Sequence, residues 1–303
     1  EATDILTIEG IINVKMNRED DTGKLFITWV GGNADIYNIE GTYDATFASK
    51  TAEALNVSSP YYCASLEVKD GKKRYYRLAR PGTLSFSVQT VGKFDIPSSV
   101  GLNELSSPLI VNGNDPGNIM GKQLNGSSNS TTADRMWRYN PTAQGGYEIA
   151  WLVGGVGTPY DGQWYTDNGP TTIKIGTDEG WKCQIREGNP SPATYVSMVG
   201  EVSRTDRTIP IGVGMNFVGS CFPVEITLES SNLFQSGMTG GSNSTAADRL
   251  WKYNVTFQGS YEIAWLVNGV GPAYNGKWYT ENNPTKLKLM PGYGYWVQVK
   301  TGH

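Results

Sequence analysis

Histidine is almost missing from this chain: His303, the last residue, is the only one. A Ser-His-Asp or Cys-His pair would have to be assembled on a chain end, and transition-metal sites built on imidazole have no ligand to use. Oxygen ligands for a hard cation remain. However, neither the acidic run Glu19, Asp20 and Asp21 nor NGNDPGN around Asp115 has the spacing of an EF-hand loop. Cysteine is scarce too. Cys63, Cys183 and Cys221 allow at most one internal bridge, leave its pairing open and lack the paired spacing of a zinc site. The expectation is therefore a protein with no catalytic residue, no metal and no cofactor.

Charge and long apolar runs are also in short supply. Only 18% of residues are charged, and the formal net charge is −4. No basic stripe is available to neutralise phosphates, which excludes nucleic acid as the main partner. No apolar run reaches the roughly 18 to 20 residues of a membrane-spanning helix, so membrane insertion is not expected. The sequence starts at Glu1 without an initiator Met, as after removal of a signal peptide and equally in a trimmed chain. A secreted protein, extracellular or at the cell surface, is the expectation.

What the chain has in abundance is glycine and large rings: 37 Gly, 17 Tyr and 9 Trp in 303 residues. That composition suits short aromatic strands joined by glycine turns, an all-β class, and the length fits two or three domains of about 100 residues. Self-comparison finds a duplication. SNSTTADRMWRYNPTAQGGYEIAWLVGGVGTPYDGQWYTDNGPT from Ser128 returns as SNSTAADRLWKYNVTFQGSYEIAWLVNGVGPAYNGKWYTENNPT from Ser242, with about two-thirds of positions identical. The likeness continues upstream, where GLNELSSPLIV from Gly101 matches GMNFVGSCFPV from Gly214. Downstream, DEGWKCQIREG from Asp178 matches GYGYWVQVKTG from Gly292. Three domains are expected: residues 1–90, copy 1 at 91–190 and copy 2 at 191–303, with the second boundary in EGNPSPATY.

Within a copy, period-two runs predict strands in DRMWRYN, GYEIAWLV, GQWYTD and TIKIG, with PTAQG closing a hairpin between the first two. A short helical turn is expected around Asn118 to Leu124, and again around Asn232 to Met238. The repeated rings are core by one reading, since each buried ring removes about 150 Å² or more from water. By another, Trp164, Tyr165 and Tyr160, with Trp278, Tyr279 and Tyr274, form exposed platforms for glycans or a neighbouring subunit. GGVGTPYDG and NGVGPAYNG follow an aromatic strand with no helix after them, so they are loops and not phosphate cradles. The shared acids Asp134 and Asp248, with Glu148 and Glu262, are the carboxylates to inspect for glycosidase chemistry. Arg135 and Arg249 directly follow the aspartates, and a structural ion pair accounts for them without chemistry.

The first 90 residues match neither copy. DILTIEGIINVKM, KLFITWV, DIYNIE, KRYYRLA and LSFSVQTV supply strands for a small sandwich, with Thr42 to Pro60 less strand-like. With Trp29 on the second strand and Tyr75 and Tyr76 on a later one, this segment resembles fibronectin type III domains. The resemblance implies a β-sandwich acting as a spacer or binder in an extracellular chain. The repeats resemble Gly/Trp-rich β-modules of secreted bacterial surface proteins, in which endings such as GYGYW recur. The fold expected is thus all-β, a fibronectin-like β-sandwich followed by two homologous small β-domains.

The N-terminal strand either stays at an edge of its own sheet or is donated to another subunit. Ile5, Leu6, Ile8, Gly10, Ile11 and Val14 are the candidate assembly residues, with Gly10 as hinge. Self-association into a polymer is the leading partnership, and the function expected is that of a subunit of an extracellular filament or surface layer. The alternative is a carbohydrate-binding or adhesive protein with two equivalent aromatic sites, gaining avidity from duplication.

Overall fold

The computed structural model of the chain describes residues 11–19, 24–31, 36–43, 47–62, 73–79, 81, 89–143, 145–187, 194–220, 222–233, 235–281 and 283–300. The first third holds β1 (Ile11–Arg18), β2 (Leu25–Gly31), β3 (Tyr37–Thr42), β4 (Thr51–Val57), β5 (Tyr61–Tyr62), β6 (Lys73–Ala79) and β7 (Val91–Pro97). Copy 1 follows with β8 (Gly101–Leu105), the one-turn helix α1 (Pro116–Met120), β9 (Arg135–Asn140), β10 (Gly146–Leu152), β11 (Trp164–Thr166), β12 (Gly169–Pro170) and β13 (Trp181–Ile185). β14 (Tyr195–Glu201) leads into copy 2. That copy comprises β15 (Gly214–Gly219), β16 (Ile226–Thr227), β17 (Arg249–Asn254), β18 (Ser260–Leu266), β19 (Trp278–Thr280), β20 (Asn283–Pro284), β21 (Lys288–Leu289) and β22 (Gly294–Val299). The protein is all-β.

Two sheets, β1-β2-β5 and β4-β3-β6-β7-β14, face each other over the first core. Alternation selects its members: Val14 and Met16, Leu25, Ile27 and Trp29, Tyr37 and Ile39, Tyr76 and Leu78 all point inward from their strands. Trp29 meets Tyr37 edge to face, with ring centroids 6.0 Å apart. Tyr76 shares this core with Trp29. Tyr75, one residue earlier, falls on the opposite face and packs with Phe47, Leu109 and Val202. β4 lies at a sheet edge and is exposed along most of its length, so its sequence TAEALNV shows no alternation.

The five-stranded sheet crosses both expected boundaries. β7, just past residue 90, and β14, just past residue 190, pair antiparallel along seven residues, from Val91 opposite Glu201 to Pro97 opposite Tyr195. Copy 1 is therefore an excursion between two paired strands of the sandwich. One face of that pair, through Val91 and Val199, belongs to the sandwich core. The other, through Ile96, Val196 and Met198, completes the core of copy 1. Polar side chains are buried there too, Lys93 and Asp95 of β7 paired at 2.9 Å, so the sequence VGKFDIP does not say which domain owns the strand.

Each copy is a six-stranded antiparallel sheet with the same order, β12-β11-β10-β9-β13-β8 in the first and β20-β19-β18-β17-β22-β15 in the second. The hairpin expected at residues 141–145 joins β9 to β10, with Asn140 opposite Gly146. α1 is capped by Asp115, whose side chain accepts from Asn118 N at 3.0 Å. Among the described residues of 232–238, turns stand where a helical turn was expected. TIKIG adds no strand, although Ile173 and Ile175 are buried.

Candidate functional site

The two copies meet through the same face of each sheet. Leu105 of copy 1 bridges to Tyr293 of copy 2, and Glu179 of copy 1 bridges to Val218 of copy 2. Since Leu105 corresponds to Val218 and Glu179 to Tyr293 in the repeat, the contact has the self-complementary pattern of a two-fold dimer inside one chain. Gly294 makes the approach possible: a Cβ there would lie 2.7 Å from the Phe217 ring and 2.9 Å from Leu105 O.

Chemistry at the junction is not symmetric. β8 and β13 place Glu104 opposite Lys182, whereas the matching positions of copy 2 hold Phe217 opposite Trp296, stacked with centroids 4.3 Å apart. Glu104, 1% exposed, accepts at Oε1 from Trp296 Nε1 at 3.0 Å and from the Tyr261 hydroxyl at 2.8 Å. Lys182 Nζ lies 3.4 Å from the same oxygen and over the rings of Tyr147 and Trp296. Glu104 Oε2 has no hydrogen-bond partner. Burial holds the Glu104 carboxyl above the usual glutamate range against the opposing pull of Trp296, Lys182 and Tyr261. Burial and the neighbouring Glu104 push the Tyr261 hydroxyl up as well. Beside this cluster opens a cleft of about 410 Å³, lined by Tyr139, Tyr147, Lys182, Trp251, Tyr261 and Trp296 among others.

A second concavity, about 350 Å³, lies in copy 2. Its floor is Leu250, Val297, Val299 and Met238, the counterparts of Met136, Cys183, Ile185 and Leu124 in copy 1. In copy 1 that floor is covered by Ile96 of β7 and by Val196 and Met198 of β14. In copy 2 the counterpart of Ile96 is Ile209, in TIPIGVG against DIPSSVG. Ile209 lines the cavity from a segment outside any strand. Among the described residues, no strand takes the place of β14 there. Arg207 and Asp178, paired at 2.7 Å, stand at the rim.

Trp164 and Trp278 are not platform residues. Alternation along β11 and β19 turns both indoles into the cores, 5% and 1% exposed, and Trp164 Nε1 donates to Gly121 O at 3.1 Å. The partners that alternate with them, Tyr165 and Tyr279, turn outward, where each stands near an exposed ring, Tyr160 at 6.2 Å and Tyr274 at 6.3 Å. Of the assembly residues, Ile11 pairs with Gly31, and Val14 lies opposite Trp29, in the core. Ile5, Leu6, Ile8 and Gly10 lie outside the described residues.

Asp134 and Asp248 are structural clasps. Asp134 accepts from Asn125 N and Arg186 N at 2.9 and 2.7 Å, and Asp248 from Thr239 N and Lys300 N at 2.7 and 2.8 Å. Arg135 and Arg249 donate to Ser130 O and Ser244 O. In the glycine loop, the Val156 and Gly157 amides point at Asp161 Oδ1, so an internal carboxylate fills the place an anion would take. Cys183 is a buried free thiol that burial pushes far above its ordinary pKa, while Cys63 and Cys221 lie outside the described residues. Among the described residues no cluster of His, Cys, Asp or Glu is arranged to hold a metal, and no helix is long and apolar enough to cross a membrane.

The junction cluster escaped the sequence reading because Glu104 and Lys182 are single charges in ordinary strands. The signal was the contrast between copies, a charged pair where the other has two rings. A comparison with protein-family models finds no match, and neither does a comparison with curated proteins.

Proposed function

We propose that this chain is a non-catalytic, secreted structural protein, a subunit that assembles with others of its kind into an extracellular filament or surface layer. One observation carries the reading: where β7 and β14 pack on copy 1, copy 2 has an apolar-lined cavity of about 350 Å³, above a floor of Leu250 and Val297 that is itself buried. An apolar-lined concavity is a place for a partner to dock, and a contact between unlike surfaces of identical chains propagates as an open polymer. The repeated rings are used mostly inside the molecule, as cores and as the seam between copies. The two sheets of the first module, β1-β2-β5 and β4-β3-β6-β7-β14 with Trp29 on β2, are compatible with the proposed role as a fibronectin-like spacer. Purified protein should form regular fibres or sheets in electron micrographs, at a concentration that sedimentation will locate. A chain monomeric at every concentration tested refutes the proposal.

The junction cleft favours a second reading, glycan adhesion. Tyr147, Trp251, Tyr261 and Trp296 offer ring faces and edges beside Lys182. Glycan-array binding lost in W251A, with assembly intact, would establish it.

A further inference from the structure

We infer that each copy carries a binding row for an acidic sugar chain: Tyr165, Trp151, Arg135 and Gln184 in copy 1, and Tyr279, Trp265, Arg249 and Gln298 in copy 2. The inference goes beyond the adhesion reading above, since it sets two equivalent sites on the sheet faces, apart from the cleft, and makes the ligand a carboxylated polysaccharide.

Sheet register puts the four residues in line. Tyr165 lies opposite Trp151, Trp151 opposite Arg135 and Arg135 opposite Gln184, so one row crosses β11, β10, β9 and β13. With neighbouring strands about 4.8 Å apart, it runs about 14 Å. Trp164, Ala150, Met136 and Cys183 enter the core, and alternation turns the row to the other face, where all four residues are half-exposed. Copy 2 repeats the row residue for residue and with the same exposure. There the rings of Trp265 and Tyr279 lie 6.2 Å apart, tilted by 50°.

Core packing does not demand these side chains, because they face away from the core. The copies have diverged around them, Ala143 to Phe257 and Gln163 to Lys277, and the junction pair Glu104 and Lys182 has become Phe217 and Trp296. The row is unchanged. The loop beside it also keeps its apolar tip in water: Val156 and Tyr160 are 54% and 48% exposed, Val270 and Tyr274 50% and 49%. Large rings kept twice at a wet surface mark a place of contact.

The arginines select the ligand. Arg135 Nε donates to Ser130 O at 2.5 Å and Arg249 Nε to Ser244 O, which holds each guanidinium in its row. Among the described residues, neither arginine has a carboxylate within ion-pair distance. Burial, and after it the charge of Arg186, hold Arg135 below the ordinary arginine range, with Asp167 opposing from too far away to pair. Lys300 takes the place of Arg186 in copy 2. A ligand carboxylate on the guanidinium would relieve this and form the paired hydrogen bonds of an arginine fork. A pyranose brings the rest, an apolar C–H face for the Tyr and Trp rings and hydroxyls for the Gln amide. A polyuronate joins both features in one chain.

The test titrates the full chain with tetragalacturonate, and with its methyl ester as the uncharged control, by calorimetry. The acid should find two sites per chain, and esterification should weaken binding by about tenfold or more, as loss of hydrogen bonds to a charged group does. R135Q should leave one site and R135Q/R249Q none, with the near-ultraviolet circular dichroism of the parent. R135K/R249K, which keeps the charge and loses the fork, should bind more weakly than the parent and more tightly than R135Q/R249Q. If the glutamine variants lose their fold, the lysine variant and the ester decide. A parent that does not bind the acid, an ester that binds as tightly, or binding that survives R135Q/R249Q and vanishes in the cleft variant W251A each overturns the inference. The last of these moves the sugar into the cleft and leaves the adhesion reading standing.

Discussion

The carboxylate of Glu104 is withdrawn from water with one oxygen hydrogen-bonded and the other bare. Burial raises its pKa above the value it has in the unfolded chain, so the folded protein holds this proton more firmly. The stability that results is fully present below about pH 4.5 and is lost as pH rises through the raised value. E104Q, which keeps an acceptor for Trp296 and Tyr261, should flatten that decline, and urea unfolding of both proteins at a series of pH values between 4.5 and 7 will measure it. Buried rings and clasps give larger effects. W164A and W278A should each cost about 3–5 kcal/mol, as core truncations of this size do. D134A and D248A should each cost about 3 kcal/mol or more, because two backbone amides lose a charged acceptor. Sequence alone placed all four residues in matching positions of the copies. It did not separate inward Trp164 from outward Tyr165, because the flanks of a three-residue strand carry too few positions to fix its phase.

Among the elements, the strands rich in large rings were the legible ones. KRYYRLA is β6, and DRMWRYN and GYEIAWLV are β9 and β10 to within a residue. Two kinds of strand were not. β4 is wet on both faces at an edge, and β7 and β14 are dry on both, so the alternation of VGKFDIP marks no wet face: its Lys93 and Asp95 are buried. Their ownership is a tertiary fact, fixed by what packs on each side. The seam between copies gives a test at this scale. G294A places a methyl against Phe217 and the Leu105 carbonyl and should destabilise the chain by about 1–3 kcal/mol. It should also alter the fluorescence of Trp296, which stacks on Phe217.

Taken whole, the molecule is stitched more tightly than three beads on a string. Arg18 of β1 donates to Met120 O at 3.0 Å and to Ser197 O at 2.8 Å, tying the first sandwich to α1 and to β14 at once. R18A should lower the unfolding free energy by about 1.5–3 kcal/mol, the range for a hydrogen-bonded charged group, in a denaturant titration. The antiparallel register of β7 and β14 has a mechanical consequence. Val91, where the chain enters the excursion, sits directly across from Glu201, where it returns. Tension applied to the two ends of the protein bypasses copy 1 entirely until the rungs between those strands open one at a time, starting from that pair. In an optical trap the first rupture should come at low force and release strands 91–97 and 195–201 as slack while the six-stranded sheet of copy 1 stays folded, a fuse that spares the remaining joints of the protein.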